Sequence, residues 1–271
     1  MTPRITSEQH RVKSVLITGG AARLGAKLVE TFAQGGWKVF CHYGKSQEAA
    51  LLLESSLRKA GCDVTGIHGD LSSDMGCVKL MTDLQQLTDR LDCLVNNASA
   101  FEPDSATDFD AVSAHQQLNV NLMAPLILSK LMAERLVPTQ PSEPGCIIHI
   151  LDQKVFNLNP DYFSYTVSKL ALERAVALQA RALAPRIRVC GVAPGLMYLS
   201  GPQTPENFEK ASRTNLLRRA IDPGHVSKTC LFLAGMPAIT GVTVTVDNGQ
   251  HLVPLERDVM FVTDELLKGK T

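Results

Sequence analysis

Tyr165 and Lys169 are the pair of residues in this sequence whose types and spacing most directly indicate proton chemistry. They stand four residues apart in a segment of helical period, so a helix would place both side chains on one face. The ammonium of a lysine lowers the pKa of a neighbouring phenol electrostatically. Because Tyr-x-x-x-Lys is common by chance, the pair predicts acid–base chemistry only together with further motifs.

Asp152 stands 13 residues before Tyr165, directly after the apolar run Cys146–Leu151. Moving a tyrosine pKa from ~10 to ~7 takes about 4 kcal/mol of preference for the tyrosinate form. An ionised Asp152 beside the phenol would oppose that shift, because like charges repel. The combination favours a neutral Tyr165 that donates a proton, which suits reduction of a C=N bond better than oxidation of an alcohol. The alternative is that Asp152 only caps the end of a strand.

A glycine-rich turn, Thr18–Gly25 (TGGAARLG), lies between the first apolar run and a helical pattern. Glycine lets the backbone approach a pyrophosphate, and the N-terminus of a helix stabilises its negative charge. Arg23 stands where a third glycine is expected; it can reach a pyrophosphate and a substrate, or lie solvated in the first helical turn. The spacing is not G-x-G-x-x-G, so tight packing of a helix on a strand remains an alternative.

The ends of the next three apolar runs supply the other candidates for a dinucleotide site. An NAD site usually has a carboxylate after the second strand for the ribose 2′-hydroxyl. None stands there; Lys45 and Ser46 instead suit a 2′-phosphate and predict NADPH, unless Lys45 is an ordinary surface lysine. The remaining candidates are His42 and Tyr43 at the end of the second run, Asp70 and Leu71 after the third, and Asn97 and Ala98 after the fourth. Asp70 can alternatively cap a helix, and the asparagine can simply tie down a loop.

Short apolar runs alternate with segments of helical period, and this alternation must position the candidate residues. It predicts an α/β fold of Rossmann type: one domain with a doubly wound, seven-stranded parallel sheet flanked by helices, and with the strand C-termini along one edge. The predicted strands are Ser14–Thr18, Trp37–Tyr43, Val64–His68, Leu91–Val95, Cys146–Leu151, Ile187–Val192 and Val242–Val246. The predicted helices are a Leu24-Leu28-Phe32 stripe that ends at Gly35-Gly36, then Gln47–Ala60, Asp74–Thr88, His115–Leu136 and Tyr162–Leu183.

Composition excludes several classes of function. The 271 residues include 27 Lys+Arg and 27 Asp+Glu, so a general basic surface for nucleic acid is absent. No apolar run approaches the ~18 residues of a membrane span, and Met1–Lys13 lacks the apolar core of a signal peptide. The seven cysteines include no Cys-x-x-Cys, and the seven histidines are scattered. We therefore expect a cytoplasmic protein with reduced thiols and no metal site.

The conjunction of the glycine-rich turn, Asn-Asn-Ala after the fourth strand and Tyr-x-x-x-Lys after the fifth resembles the short-chain dehydrogenase/reductase family over about residues 13–252. The resemblance implies that Tyr165 is the acid/base and Lys169 its partner, and that Asn121 organises a proton-relay water, with Asn119 as a neighbouring competitor. It implies a tetramer assembled through helices 115–136 and 162–183. Its implied cofactor residues are Thr18, Gly19, Arg23, Leu24, Gly25, Asn97, Ser99, Tyr165, Lys169, Pro194 and Gly195.

Three departures from the family pattern narrow the resemblance to one group within the family. Asp152 stands where the catalytic serine is usual, Ser99 replaces the glycine of Asn-Asn-Ala-Gly, and Arg23 replaces the central glycine of the first turn. These departures are similar to those of the pteridine reductases and dihydromonapterin reductase. The similarity implies NADPH-dependent reduction of a pterin or dihydropterin, with Phe101 stacking the ring against nicotinamide. Arg23, Ser99, Asp152 and Tyr165 would then contact the substrate.

Two other functions remain open at this point. A generic NADPH-dependent carbonyl reductase, for instance of 3-oxoacyl thioesters, needs a hydroxyl near Tyr165, and Asp152 is the wrong group. A non-catalytic NADPH-binding protein would have no use for Tyr165 and Lys169. Within the single domain, loop-rich residues 196–222 suit a substrate loop. Pro138–Gly145 predicts a surface loop, and residues 253–271 form an extension of unpredicted structure.

Overall fold

The predicted parallel sheet is present in the computed structural model, which describes residues 11–138, 143–201 and 203–268. The strands are β1 Ser14–Ile17, β2 Lys38–Tyr43, β3 Val64–His68, β4 Cys93–Asn96, β5 Gly145–Ile150, β6 Ile187–Pro194 and β7 Thr243–Val246. All neighbouring strands are parallel, in the order β3-β2-β1-β4-β5-β6-β7. Because the direction of winding reverses between β1 and β4, a crevice opens beyond the carboxyl ends of those strands.

Helices cover both faces of the sheet, which explains why the strands are apolar without a polar alternation. The helices are α1 Arg23–Gln34, α2 Gln47–Lys59, α3 Asp74–Gln85, α4 Ala111–Leu118, α5 Ala124–Arg135, α6 Phe163–Leu183, α7 Pro205–Ala211, α8 Pro223–Gly235 and α9 Val259–Lys268. In β1, Val15 and Ile17 belong to the core layer under helices α1 and α8, whereas Leu16 belongs to the layer under α3, α5 and α6. All three side chains are fully buried.

The prediction of one helix over His115–Leu136 is wrong in two respects: the helical segment begins earlier, and it is interrupted. The helical segment begins at Ala111, because the Asp110 side chain accepts a hydrogen bond from the amide of Ser113 and caps it. A π-helical turn, Asn119–Met123, separates α4 from α5. Pro125 follows this turn and has no N–H to close an α-helical bond to residue 121, which favours the wider turn.

The loop-rich region 196–222 and the C-terminal extension contain two helices that the sequence pattern did not predict. Thr204 caps α7 by accepting a hydrogen bond from the amide of Asn207, and Pro205 occupies the first helical turn, where no N–H is needed. Helix α9 lies in the extension 253–271. Residues 139–142 of the predicted surface loop, residue 202 of the substrate loop and residues 269–271 of the extension lie outside the described residues. Among the described helices, none has the length and apolar character to cross a bilayer.

Candidate active site

A cleft of about 920 Å³ runs along the carboxyl edge of the sheet and brings most of the predicted site residues together. We call its end near Lys45 and Asp70 the cofactor half, and its end near Asp152 and Tyr165 the substrate half. The predicted residues that line the cleft are Gly19, Arg23, Leu24, Gly25, His42, Lys45, Asp70, Leu71, Asn97, Ala98, Ser99, Phe101, Asp152, Tyr165, Lys169, Pro194 and Gly195.

The glycine-rich turn is close-packed at all three of its glycines, Gly19, Gly20 and Gly25. Gly19 has a φ of +61°, and a Cβ on Gly25 would lie 1.9 Å from the carbonyl oxygen of Gly19. Helix α1 then begins without a side-chain cap at Ala22 and without an acidic residue in its first turn. Its first amides are therefore left to be satisfied by water or by an anion in the cleft.

Arg23 connects the glycine-rich turn to the predicted substrate loop. Its backbone is left-handed, with a φ of 52°, at the position where a glycine was expected. Its Nη2 donates a hydrogen bond to the carbonyl of Leu199 at 2.7 Å, and its guanidinium lies 5.1 Å from the centre of the Tyr198 ring. One side chain therefore spans from α1 to the loop that bounds the substrate half.

His42 organises the cofactor half through backbone bonds at both ring nitrogens. Nδ1 accepts from the amide of Gly19 at 3.0 Å, so Nε2 carries the proton and donates to the carbonyl of Gly69 at 3.2 Å. Burial lowers the pKa of His42 to about 4, which keeps the ring neutral. The predicted cofactor residue His42 is thus a wall residue that ties the turn to the end of β3.

Thr18 and Asn97 hold the ends of β1 and β4 together. The Thr18 hydroxyl accepts hydrogen bonds from the amides of Asn97 and Ala98 at 2.9 and 3.0 Å. The Asn97 side-chain amide donates to the carbonyls of Thr18 and Gly19 at 2.9 and 3.1 Å. These bonds fix the floor of the crevice.

Three of the predicted cofactor residues do not line the cleft: Thr18, Tyr43 and Ser46. Thr18 is buried behind the turn. Successive residues of a strand point to opposite faces, so Tyr43 turns away from the side of His42 and its ring lies 5.6 Å from that of His68. Ser46 precedes α2 without a side-chain capping bond, next to Lys45 at the open end of the cofactor half.

Asp152, Tyr165 and Lys169 share the substrate half. The Tyr165 hydroxyl donates to Oδ2 of Asp152 at 2.9 Å. The Lys169 ammonium donates to the carbonyl of Ile150 at 2.8 Å and lies 5.7 Å from the centre of the Tyr165 ring. The amide of Lys154 donates to Oδ1 of Asp152 at 2.8 Å and orients that carboxyl group. The three groups therefore lie together in one cleft.

Burial controls the protonation of this group. Burial raises the pKa of Asp152 above its usual range, against the bond from the Lys154 amide and the nearby ammonium groups. Burial and the charge of Asp152 raise the pKa of Tyr165 well above that of an ordinary tyrosine. Burial lowers the pKa of Lys169 to about 8, although Asp152 opposes the shift. A tyrosine with such a pKa keeps its proton near neutral pH and can donate it.

Asn121 is not among the residues that line the cleft, and its role in organising a proton-relay water stays a prediction. It is buried in the π-helical turn, where its Oδ1 accepts from the amide of Ala100 at 2.8 Å and from the Ser99 hydroxyl at 3.2 Å. Its Nδ2 donates to the carbonyl of Ala100 and the hydroxyl of Ser168. Asn121 thus holds the loop that carries Ser99, and its competitor Asn119 bonds the carbonyl of Ser72 instead.

Phe101 is part of an aromatic stack that the sequence alone did not predict. Its ring stacks on Tyr162, with centres 4.2 Å apart and planes 21° apart, and its edge meets Tyr165 at 4.6 Å. Tyr162 stacks in turn on Phe261 of α9 at 6.3 Å. The left-handed backbone of Tyr162, with a φ of 57°, aims its ring into this stack and leaves no pattern in the sequence. Lys154, Asp258 and Met260 also line the cleft without having been predicted.

Comparison with known proteins identifies the family to which this cleft belongs. The sequence profile described as "Enoyl-(Acyl carrier protein) reductase" matches residues 20–251, from the glycine-rich turn to the residues after β7. The chain belongs to the short-chain dehydrogenase/reductase family. It is therefore an oxidoreductase of that family, and both the resemblance inferred from its motifs and the predicted fold are confirmed.

Several members of the short-chain dehydrogenase/reductase family are similar over nearly their whole length. Pteridine reductase 1 of Leishmania tarentolae is 30% identical, covering 88% of this chain and 96% of the relative. A dihydromonapterin reductase of Escherichia coli is 28% identical, with 88% and 96% covered. The crystal structure of FolM Alternative dihydrofolate reductase 1 from Brucella canis, complexed with NADP, is 35% identical, with a TM-score of 0.84 and with 89% and 94% covered.

Proposed function

We propose that this protein is an NADPH-dependent reductase of pterins or dihydropterins. The observation that carries the proposal is the Tyr165–Asp152 hydrogen bond inside the cleft, which leaves a protonated phenol where a ring nitrogen can receive its proton. The names of the three relatives, which are a pteridine, a dihydromonapterin and a dihydrofolate reductase, support the same substrate class.

The residues of the cofactor half fit NADPH. A Cβ would fill the space at Gly19 and Gly25, and the uncapped start of α1 leaves amides for a pyrophosphate. Lys45 lies at the same end and suits a 2′-phosphate, while Lys169 suits the nicotinamide ribose and Gly195 the nicotinamide. When bound, NADPH supplies the hydride. The relative from Brucella canis holds NADP, which supports this assignment.

The proton chemistry follows from the hydrogen bonds of the substrate half. Reduction of a C=N bond adds a hydride to carbon and a proton to nitrogen, and Tyr165 gives that proton. The resulting phenolate is stabilised by the Lys169 ammonium near its ring. Asp152, whose pKa is raised by burial, returns a proton to Tyr165 through their 2.9 Å contact and is itself reprotonated by water.

A carbonyl reductase is disfavoured by the group that contacts the tyrosine. Within the described part of the chain, the hydrogen-bond partner of the Tyr165 hydroxyl is a carboxyl group and not a second hydroxyl. Asp152→Ser should therefore lose activity on pterins, and a simultaneous gain of activity on simple carbonyls would support the same assignment. An Asp152→Ser enzyme that keeps its pterin activity would contradict the assigned role of the carboxyl group.

A substrate panel tests the proposal. The purified protein is given NADPH with a dihydropterin, dihydrofolate, an oxidised pterin and a 3-oxoacyl thioester, and NADPH oxidation is followed by absorbance. We expect turnover with at least one of the pterin compounds and little with the thioester. Turnover of the thioester alone would overturn the proposal in favour of a carbonyl reductase. NADPH binding with no turnover of any of the four would favour a non-catalytic NADPH-binding protein.

We further propose that the enzyme is a homotetramer that works in the cytoplasm. Apolar side chains are exposed along α4, the π-helical turn and α6, at Val112, Met123 and Val167, and a neighbouring subunit would bury them. The seven cysteines are free thiols, which suits a reducing compartment. Light scattering should give about four times the chain mass of 29.4 kDa. A monomer in solution would refute the assembly.

A further inference from the structure

The chain returns to the substrate half of the cleft after the last strand. Asp258, Val259 and Met260 line the cleft there, and the last two are buried. We call residues 257–261 the C-terminal wall. Its Phe261 extends the aromatic stack of Phe101 and Tyr162. The wall therefore contacts the aromatic residues of the substrate half.

Lys154 joins this wall to the catalytic carboxyl group. Its side chain is only 4% exposed, and its ammonium lies 3.0 Å from Oδ2 of Asp258, whose side chain is 24% exposed. The same ammonium lies 5.2 Å from the centre of the Tyr162 ring, and the backbone amide of Lys154 donates to Asp152. One residue thus contacts the catalytic acid, the aromatic stack and the C-terminal wall.

Two further contacts hold the wall from other directions. The Arg257 guanidinium binds both carboxylate oxygens of Asp161, and the amide of Asp258 donates to the same group at 2.7 Å. From α7, the Asn207 side chain donates to the carbonyl of Met260 at 2.8 Å. The wall is thereby clamped between the segment after β5 and the predicted substrate loop.

We propose that the C-terminal wall closes the substrate half and that Lys154 is the positioning residue that aligns it with Asp152. The inference rests on the proposed function for the identity of the substrate but not for the contact itself. Removing one partner of a buried ion pair leaves an uncompensated charge, so the wall would shift or loosen when Lys154 is neutralised. A displacement of about 1 Å at a reacting centre can lower a rate 100-fold.

The contacts of Lys154 predict that its substitution changes the kinetic constants for the dihydropterin but not the binding of NADPH. Lys154 contacts the substrate half only, so its loss should not disturb the glycine-rich turn of the cofactor half. We expect Lys154→Met to raise the KM for the dihydropterin about 10-fold and to lower kcat by a smaller factor, while the NADPH dissociation constant changes less than about 2-fold. Lys154→Arg keeps the charge and should retain most of the activity. Lys79→Met, which breaks an exposed ion pair on α3, is the matched control.

Asp258→Asn provides a second test if Lys154→Met folds poorly, because the amide keeps the size and shape of the Asp258 side chain and removes only its charge. It should reproduce the same rise in the dihydropterin KM. Equal changes in the NADPH dissociation constant and in the KM for the dihydropterin would overturn the proposal. Wild-type kinetics in both variants would overturn it as well.

Hydrogen exchange of the amides of residues 257–263 separates this inference from the proposed function, since it needs no substrate. We expect exchange there to be at least about 10-fold faster in Lys154→Met and in Asp258→Asn than in wild type, and unchanged in Lys79→Met. If the wild type reduces no pterin but the exchange rises as expected, the proposed substrate is wrong and the positioning contact stands. If exchange is unchanged in both cleft variants, the contact does not hold the wall.

Discussion

The two halves of the cleft are built in different ways. The cofactor half consists mainly of backbone: close-packed glycines, the uncapped start of α1, and side chains such as His42 and Asn97 whose bonds go to backbone groups. The substrate half consists of side chains from distant segments, such as Lys154 and Asp258. A site built from backbone requires glycines close together in the sequence, and these form a recognisable motif. A site built from side chains of distant segments leaves no such motif.

Gly25→Ala should have the largest effect and falls on the cofactor half. Its Cβ would lie 1.9 Å from the carbonyl of Gly19, which forces the turn or α1 to move. We expect NADPH binding to weaken by more than about 100-fold, or the fold to be lost, because the Cβ would collide most closely with backbone atoms and not with a side chain that could change its rotamer. NADPH fluorescence titration measures this. Gly235→Ala, whose Cβ would meet nothing within 4 Å, is the control, and equal binding by Gly25→Ala and wild type would refute the packing argument.

Tyr165→Phe should be next in size and falls on the substrate half. The substitution removes only the hydroxyl that contacts Asp152. Loss of a positioned proton donor should lower kcat for the dihydropterin about 10²–10⁴-fold. The NADPH affinity should stay within a factor of two, since the ring remains in place. A variant with normal kcat would mean that another group supplies the proton.

Lys45→Asp tests the nucleotide preference of the cofactor half. A carboxylate would repel a 2′-phosphate and accept a hydrogen bond from a 2′-hydroxyl, so the ratio of kcat/KM for NADPH over NADH should fall about 10–100-fold. Steady-state kinetics with both nucleotides measure the ratio. Lys59→Asp, at the far end of α2, serves as the charge-matched control. An unchanged ratio would remove Lys45 from the site.

Phe101→Leu should have the smallest of these effects. It removes an aromatic face but keeps an apolar side chain beside Tyr162 and Tyr165. Aromatic pairs contribute about 0.5–1.5 kcal/mol beyond burial, so the KM for the dihydropterin should rise about 2–10-fold. The KM for NADPH should not change. A parallel rise in both constants would show that Phe101 acts through folding.

The same contrast explains what the sequence could predict. The strands follow from buried apolar runs, and the Tyr165–Lys169 pair follows from helical spacing; both depend on local patterns. The ion pair between Lys154 and Asp258 joins residues 104 positions apart, and neither residue belongs to a motif. The stack of Phe101 on Tyr162 requires a left-handed backbone conformation at Tyr162, which no sequence pattern indicates. The bonds of Asn121 to Ser99, Ala100 and Ser168 were not predicted either, because a motif specifies a residue but not the direction of its side chain.

The pH dependence of kcat/KM for the dihydropterin, at saturating NADPH, tests the central claim most directly, in wild type and in Asp152→Asn. A neutral Tyr165 that donates its proton, with a protonated Asp152 behind it, predicts a rate that falls as pH rises. The fall should begin above the ordinary pKa of an aspartate and steepen near 8, where Lys169 loses its charge. Asp152→Asn should lose the first part of the fall and keep the second. A rate that rises with pH through the neutral range would show tyrosinate as the active form and contradict the account.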